Sequence, residues 1–411
     1  MTKSMNIIIL SDVPPDAGYT AGQVLYQAIA GLSEFQFRFY WLNQSRLDAR
    51  VTLPPNCNSM AMVSTGYGRL VTVLVRACNF LLRHAPLFAK PVFAVKAGLG
   101  LVSLLATSVG LGLMIRRDPS RLVWFVVQGE RPVIAYRIVS WIARKPYLLQ
   151  QWDPLSWWMG HRRYPRRIIR VAQGLLSGLE QKAQVNIVPS DAWKEQLEAQ
   201  GKSAIRLDNF IRQQLLDEPR FLAIRDPHAL HAVFAGQFYA GQELTRIVGA
   251  LTMVLQPSGR KLVIHLFGSS TPVHLAGSEV ISHGHLARDE LIRRISKWDI
   301  ALLPYPTAAG HEETARLSFP SKARVYLAAG LPILACAPAF SGVHRFLDGH
   351  YRNNYCNIEV NNSPTLFVNK VLEAGYEARN ARYLDARRLV SREFSDTAEL
   401  QPLRNLLGDL A

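Results

Sequence analysis

Short apolar runs that end at a glycine or polar turn and lead into an amphipathic helix recur along this chain, in two successive series. Met5–Leu10 is such a run, followed by SDVPPDAGYTAGQ and a helical pattern from about Gln23 to Gly31. Arg38–Leu42, RLVWFVVQ (121–128), YLLQQW (147–152) and VNIVPSD (185–191) continue the first series, and Gly201 caps the helix AWKEQLEAQG. After AIRLDNF (204–210) and a polar link over 212–229, the pattern restarts with HAVFAGQF (231–238), KLVIHLFGSS (261–270), EVISHGHL (279–286) and IALLPYP (300–306). Helices are expected over 242–255 and 288–299. Strands joined by helices pair in parallel, because each helix returns the chain to the edge where the previous strand began. At 411 residues the chain is long for one core, so two α/β domains with parallel sheets are expected.

The stretch LSFPSKARVYLAAGLPILA (317–335) combines a loop, a helix and a strand. Pro320 suits a first helical turn, where its missing N–H has no partner to lose. Ser321 and Lys322 then fall where free backbone N–H groups and the positive end of the helix dipole face an anion. Ala323–Ala329 read as a short helix, Gly330 as its cap, and Ile333–Cys336 as a buried strand beyond Pro332. Arg316 and Arg324 are further cations nearby.

The charge is uneven. Residues 1–215 carry 26 Lys and Arg against 12 Asp and Glu, and the remainder carries 21 against 19. A cationic half suits nucleic acid, anionic lipid or a phosphorylated substrate. No nucleic-acid module accompanies the charge, which argues against nucleic acid. Cys57, Cys78, Cys336 and Cys356 stand far apart, which argues against a disulfide framework and fits a reducing compartment. HEETA (311–315) lacks the second histidine of a zinc helix, and His283 with His285 has no third ligand, so no metal is expected. Asn6–Ser11 reads as a first strand rather than a secretory leader, in keeping with a cytoplasmic location.

AGLGLVSLLATSVGLGLMI (97–115) has no charge and is flanked by Lys90, Lys96, Arg116 and Arg117. Its length admits a membrane span, a buried helix, or a helix or hairpin resting on a membrane. Glycines and hydroxyl residues weaken the span, which would also put the two sides of one sheet across a bilayer. The resting helix, with its basic flanks near anionic headgroups, is the preferred reading. RLVTVLVRACNFLLRHAPLF (69–88) is amphipathic and basic and is expected to share that face.

Taken together, ILSDVPPDAGYTAGQ, NIVPSDAWKEQLEAQG, FAGQF, FGSS, VISHGHLARDEL, DIALLPYP and FPSKARVYLAAGLPILA resemble, in their order and spacing, the GT-B nucleotide-sugar glycosyltransferases of the group 1, family 4-like type. The resemblance covers nearly the whole chain. It implies two Rossmann-like parallel-sheet domains facing across a cleft, over 1–212 and 228–390. It further implies that REFSDTAELQPLRNLL (392–407), within a last segment 391–411, crosses back to the N-terminal domain. The donor nucleotide would lie on the C-terminal domain and the acceptor on the N-terminal one.

Transfer from a nucleotide sugar needs a leaving diphosphate stabilised as its charge grows, and a helix start with a cation does this without a metal or other cofactor. Pro320, Ser321 and Lys322 are the leading donor-side candidates, with Arg316 beside them. Gly18, Ala21 and Gly22 lie in the first strand–helix loop, where small residues admit a phosphate or sugar. Gly236, Gly268 and Gly284 end three strands at the edge where ligands bind in α/β sheets. The resemblance places His285 near the base. It also implies an acid at Val325 and another at Leu317, both missing here, with Glu312 or Glu313 as substitutes, and cations where Gln237 and Gln242 stand. Glu130 and Asp153 follow strands of the first domain and are the candidate acceptor-side carboxylates, Asp153 otherwise being an N-cap. WDPLSWWMGHRRYPRR (152–167) offers aromatic and basic groups for a sugar phosphate or a membrane.

The expected function is a retaining, metal-independent transfer of sugar from a nucleotide-sugar to a glycan or lipid-linked acceptor on the inner face of the cytoplasmic membrane. The alternatives are an epimerase of the same architecture and a non-catalytic protein that binds a membrane or glycan.

Overall fold

The computed structural model describes residues 5–16, 20–43, 52–64, 89–218, 226–238, 240–268, 275–308, 310–360 and 363–410. The chain forms two compact units. The first holds the chain as far as Pro189, Lys194–Arg206 and the residues from Leu406 onward, and the second holds Ser190–Trp193 and Leu207–Asn405.

In the first unit, β1 (Asn6–Ser11), β2 (Gln36–Asn43), β3 (Cys57–Ser64), β4 (Leu122–Val127), β5 (Tyr147–Gln151), β6 (Val185–Val188) and β7 (Ala204–Arg206) form one sheet. Its order is β3-β2-β1-β4-β5-β6-β7, with every neighbouring pair parallel. β1, β4 and β5 are buried along most of their length, and β1 and β4 read as near-continuous apolar runs, as expected of parallel strands covered on both faces. β3 was not foreseen. As an edge strand it keeps Asn58, Ser59 and Ala61 exposed, so it lacks the apolar run that marks the central strands.

Ile8, Leu10, Val123 and Phe125 share a core with one layer of helices. Helix Ala89–Arg117 contributes Leu104, Leu111 and Ile115, helix Glu130–Ala143 contributes Val133, Tyr136 and Val139, and helix Arg166–Glu180 contributes Ala172, Leu176 and Leu179. Gly112 lies so close to the second helix that a Cβ there would come 2.9 Å from Ile142 Cβ. The apolar stretch 97–115 therefore lies within one long helix, not a hairpin. It is not a buried helix either, because Leu101, Val102, Leu105, Val109, Leu113 and Met114 are exposed. The stretch 69–88 lies outside the described residues.

In the second unit, β8 (Ala229–Ala235), β9 (Lys261–Phe267), β10 (Glu279–Ser282), β11 (Ile300–Pro304), β12 (Ile333–Cys336) and β13 (Tyr355–Asn357) form a sheet ordered β10-β9-β8-β11-β12-β13, again parallel throughout. The order reverses between β1 and β4 in one sheet and between β8 and β11 in the other. Ligands of open α/β sheets bind at such reversals, beyond the C-terminal ends of the strands.

Two local expectations change. The segment 392–407 is not one helix: helix Tyr376–Phe394 ends, Ser395 is extended, and helix Asp396–Asp409 follows. The Ser395 hydroxyl accepts from Ala398 N–H (3.2 Å) and so starts the new helix. Within the polar link, Gln213–Asp217 forms a short helix.

Candidate functional site

Three strand ends meet in the second unit. Gly236, Gly268 and Gly284 follow β8, β9 and β10, with φ of 114°, 90° and 70°. Gly236 N–H donates to Phe267 O (2.9 Å) and Gly268 N–H to Gly284 O (2.8 Å). A Cβ on Gly268 would stand 3.4 Å from Gly236 Cα. Glycine is required at these two turns both by the left-handed backbone and by their close approach.

Helix Ser321–Ala328 brings a cation to the same place. The Tyr326 hydroxyl accepts from Ala235 N–H (2.9 Å), tying this helix to the end of β8. Lys322 is only 9% exposed, so it is not a solvated surface lysine. Its Nζ lies 4.7 Å from the centre of the Phe234 ring and 3.9 Å from where a Gly236 Cβ would sit. Burial pushes the ammonium down to about 7. A bound anion would reverse that shift by favouring the charged form. Pro320 is buried but extended, so the helix begins at Ser321 and not at the proline. Ser321 is exposed, as is Gln237 beside Gly236.

Across the strand reversal, Thr307 follows β11. Its N–H and hydroxyl both donate to the Glu243 carboxylate, at 2.8 and 2.7 Å. Burial pushes Glu243 up, but the two Thr307 bonds and Arg246 outweigh it and hold the carboxyl below its ordinary range. Glu243 belongs to helix Gly241–Leu255, just after the Gly236 turn.

The other cations and acids have different employment. Arg324 is 1% exposed. It pairs with Asp208 (3.1 Å) and Glu399 (3.7 Å), donates to Asn209 O (2.7 Å) and lies over Phe394 (4.6 Å). It is a core residue of the second unit, not a phosphate ligand. Arg316 is exposed and lies over Phe340 (5.8 Å). Glu312 is exposed and accepts from Gly310 N–H (2.8 Å). His285 is exposed beyond Gly284.

A chain of histidines, unforeseen from the sequence, crosses β8, β9 and the end of β10. His231 Nδ1 lies 2.9 Å from His265 Nε2, and His265 Nδ1 lies 2.9 Å from His283 Nε2. His231 Nε2 faces the Asp226 carboxylate at 3.5 Å. A carboxylate accepts only, so His231 carries its proton on Nε2. With His231 neutral, each further ring donates from Nε2, which leaves His283 Nδ1 as an acceptor next to Gly284. His265 stacks on Trp298 (4.1 Å). Burial, with His231, His283 and Lys297 adding to it, pushes His265 down to about 3, so the middle of the chain stays neutral.

In the first unit, Asp12 follows β1 and Glu130 follows Gly129 after β4, on the two strands where the order reverses. Burial pushes Asp12 up to about 7; its own backbone N–H opposes the rise, Glu130 adds to it and Arg162 opposes it. Tyr164 hydroxyl donates to Glu130 (2.9 Å), and Arg162 stands 3.8 Å from the same carboxylate. Arg162 also covers the Trp158 ring at 4.6 Å. Gly129 has φ 95°, and a Cβ there would meet Trp158 Nε1 at 2.4 Å. Part of the aromatic and basic stretch 152–167 thus gathers on Glu130. Tyr136 hydroxyl bridges the strands below, lying 2.9 Å from both Leu10 O and Val126 O.

Asp153 is half-buried after β5, at the same sheet edge as Glu130. It is not an N-cap: Pro154 holds the cap position of helix Leu155–His161 without a side-chain bond. Gly18 lies outside the described residues, and of Ala21 only the backbone, in helix Thr20–Gly31, is described. A Cβ on Gly22 would meet Pro14 O at 2.5 Å and Asp16 N at 2.9 Å. Gly22 thus lies not in the loop but in helix Thr20–Gly31, and its smallness lets the preceding segment pack against that helix. The candidate site residue missed in the sequence is Asp12. Its signal was a carboxylate directly after a buried first strand.

No family model matches the chain, and no curated protein matches it. Solved structures do. Sucrose-phosphate synthase from Thermosynechococcus elongatus is 13% identical with a TM-score of 0.59, covering 99% of each chain. The Anabaena protein HepE, solved with UDP and glucose, is 14% identical with a TM-score of 0.59, covering 98% of this chain and 100% of its own. The lipopolysaccharide outer core galactosyltransferase WaaB is 13% identical with a TM-score of 0.60, covering 99% of this chain and 100% of its own. These neighbours are GT-B glycosyltransferases. The chain has the GT-B fold. In a GT-B chain the two strand reversals described above are the places to look for ligands, which gives Lys322 and Asp12 their interest.

Proposed function

We propose that this protein is a glycosyltransferase that moves a sugar from a nucleotide-sugar donor to a glycan or lipid-linked acceptor held at a membrane surface. The observation that carries the donor part is the meeting of Gly236, Gly268 and Gly284 with the buried Lys322 at one strand reversal. The turns leave room for a diphosphate to approach the backbone, and the ammonium and the first N–H groups of helix Ser321–Ala328 supply the positive charge. As the bond to the sugar breaks, negative charge grows on the diphosphate, and these groups stabilise it without rearranging. A metal is not needed for that step. HepE, a neighbour in fold, is a protein solved with UDP and glucose, which favours a nucleotide sugar as the ligand.

In the first unit, Asp12 serves the acceptor. A carboxyl near 7 gives up and takes protons at neutral pH, as activation of an acceptor hydroxyl requires. Burial holds Asp12 above its ordinary range, Glu130 adds to the rise, and Glu130, fixed by Tyr164 and Arg162, orients the acceptor, with Asp153 at the same edge. Retention of configuration is the expected stereochemistry.

The membrane part rests on helix Ala89–Arg117. Outside the stripe that packs on helix Glu130–Ala143, it presents apolar side chains to solvent, and Arg116 and Arg117 end it. Exposed Ile168 and Val171 on helix Arg166–Glu180 stand among Arg166, Arg167 and Arg170. Apolar ridges set among cations complement an anionic bilayer. The chain would lie on the cytoplasmic leaflet. The function is tested by titrating UDP, GDP and other nucleoside diphosphates against thermal stability, then assaying the matching sugar nucleotides with membrane extract as acceptor. A protein that no nucleoside diphosphate stabilises would sink the proposal.

A further inference from the structure

Beside the apolar helices of the first unit lies a cavity that neither the donor nor the acceptor site uses. Its volume is about 250 Å3, and it is lined by Arg137, Ile138, Ser140, Trp141, Tyr147 and Lys182. Tyr147 begins β5, so the cavity lies at the sheet edge opposite to the strand ends that lead to Asp12 and Glu130.

The chemistry of its wall is one-sided. Arg137 is held by donation to Gly178 O (3.2 Å), which uses one of its five N–H groups. Among the described residues no carboxylate pairs with Arg137 or Lys182. Glu180, the acid close to them in sequence, is held by Lys202 (2.6 Å) and Gln151 (3.1 Å). Tyr147 hydroxyl donates to Leu179 O (2.8 Å) and Ser140 hydroxyl to Arg137 O (3.1 Å), so both protons are spent on backbone. Burial pushes Tyr147 up to about 12, against the pull of Arg137, so the phenol brings no negative charge. Two cations therefore face a cavity without an anion.

Its rim is apolar and exposed. Trp141 is 74% exposed. Its sequence neighbour Ile142 packs on Gly112 of helix Ala89–Arg117, the same helix that exposes Leu113 and Met114. An indole left in solvent next to a phosphate-sized cationic hollow is suited to the boundary between acyl chains and headgroups.

We infer that this cavity receives the phosphate of an anionic phospholipid headgroup, with Arg137 and Lys182 as its partners and Trp141 seated at the interface. The inference rests on the membrane part of the proposed function and deepens it from a general attraction to a lipid-binding site. A soluble phosphate ester would supply the same charge, but it would leave the Trp141 indole in water.

The experiment is flotation of the full chain with vesicles of phosphatidylcholine, alone or mixed with phosphatidylglycerol, for wild type, Lys182→Gln, Arg137→Gln and Arg116→Gln. Lys182 is exposed, so its substitution is expected to spare the fold and guards against misfolding of Arg137→Gln. The expected result is that Lys182→Gln and Arg137→Gln each weaken binding to the mixed vesicles about fivefold or more, clearly beyond Arg116→Gln, with nucleoside diphosphate binding unchanged. If wild type fails to float with either vesicle, the membrane reading fails and the cavity assignment with it. If wild type floats but the two cavity variants lose no more than Arg116→Gln, diffuse attraction suffices; the cavity assignment is then overturned and the membrane reading stands. Glycerol phosphate is the soluble probe. If it raises the melting temperature through Lys182 while flotation ignores Lys182, the site takes a free phosphate ester and the lipid assignment is overturned.

Discussion

The two sheets share one strand order around their reversals, yet they end in opposite chemistry. The second unit finishes β8 and β9 with Gly236 and Gly268 and sets the buried Lys322 beside them. The first finishes β1 and β4 with Asp12 and Glu130. Burial acts on both charged groups in the same physical way, disfavouring the ionised form, and brings both to about 7 from opposite sides. A lysine brought down is poised to gain a proton when an anion arrives. An aspartic acid brought up is poised to exchange one with a hydroxyl. Under the proposed function, one framework yields an anion site and an acid–base site by changing only the residues after the strands.

The largest effect is expected in the first unit. Asp12→Asn keeps the shape but removes proton exchange, so transfer should slow by about 100-fold or more while nucleoside diphosphate affinity stays as it was. In wild type the rate should rise with pH through about 7 as Asp12 ionises, and that limb should vanish in the variant. A rate unchanged by Asp12→Asn would remove the contrast between the units.

Next in size is Lys322→Met, which keeps most of the volume. Loss of a charge-assisted contact should weaken diphosphate binding by about 10- to 100-fold, measured by calorimetry. The same change should raise the melting temperature, because a buried ammonium no longer has to be desolvated. Weaker binding together with a lower melting temperature would point to a structural lysine instead. In wild type, diphosphate binding above pH 7 should take up as much as one proton, since the anion restores the charge on Lys322. Calorimetry in buffers of different ionisation heat reads that uptake directly.

Much of this framework is legible in the sequence. The apolar runs of β1, β4, β5, β8, β9, β11 and β12 are visible because central parallel strands are buried on both faces. The helix after Pro320 and its end at Gly330, with φ 72°, follow from backbone preferences alone. Burial of charge is what the sequence hides. Lys322 and Arg324 stand two apart in one helix and look alike as letters, but one faces the Gly236 turn and the other is locked between Asp208 and Glu399. Asp12 resembles an ordinary turn residue until Glu130, more than a hundred residues later, packs nearby. The histidine chain joins three strands whose register only the sheet supplies, although His231 and His265 each interrupt an apolar run.

The smallest effects concern acid, and they should run in opposite directions in the two units. Asp12 binds its proton more tightly folded than unfolded. As pH falls from 7 towards 4, the folded state holds more protons at this group, so Asp12 adds stability. His265 does the reverse: with a folded value near 3 against about 6.5 when unfolded, it gains its proton only on unfolding over that range and so subtracts stability. Each slope is at most about 1.4 kcal/mol per pH unit. Measured against wild type in denaturant titrations, Asp12→Asn should therefore lose ground as the solution is acidified, whereas His265→Phe should gain it. If both variants drift the same way, the assignment of a protonated acid to one reversal and a neutral imidazole chain to the other is wrong. If only the His265 difference is flat, the chain is opening in acid and admitting water, and the imidazole nitrogen shifts of His283 should then lose the tautomer imposed from Asp226.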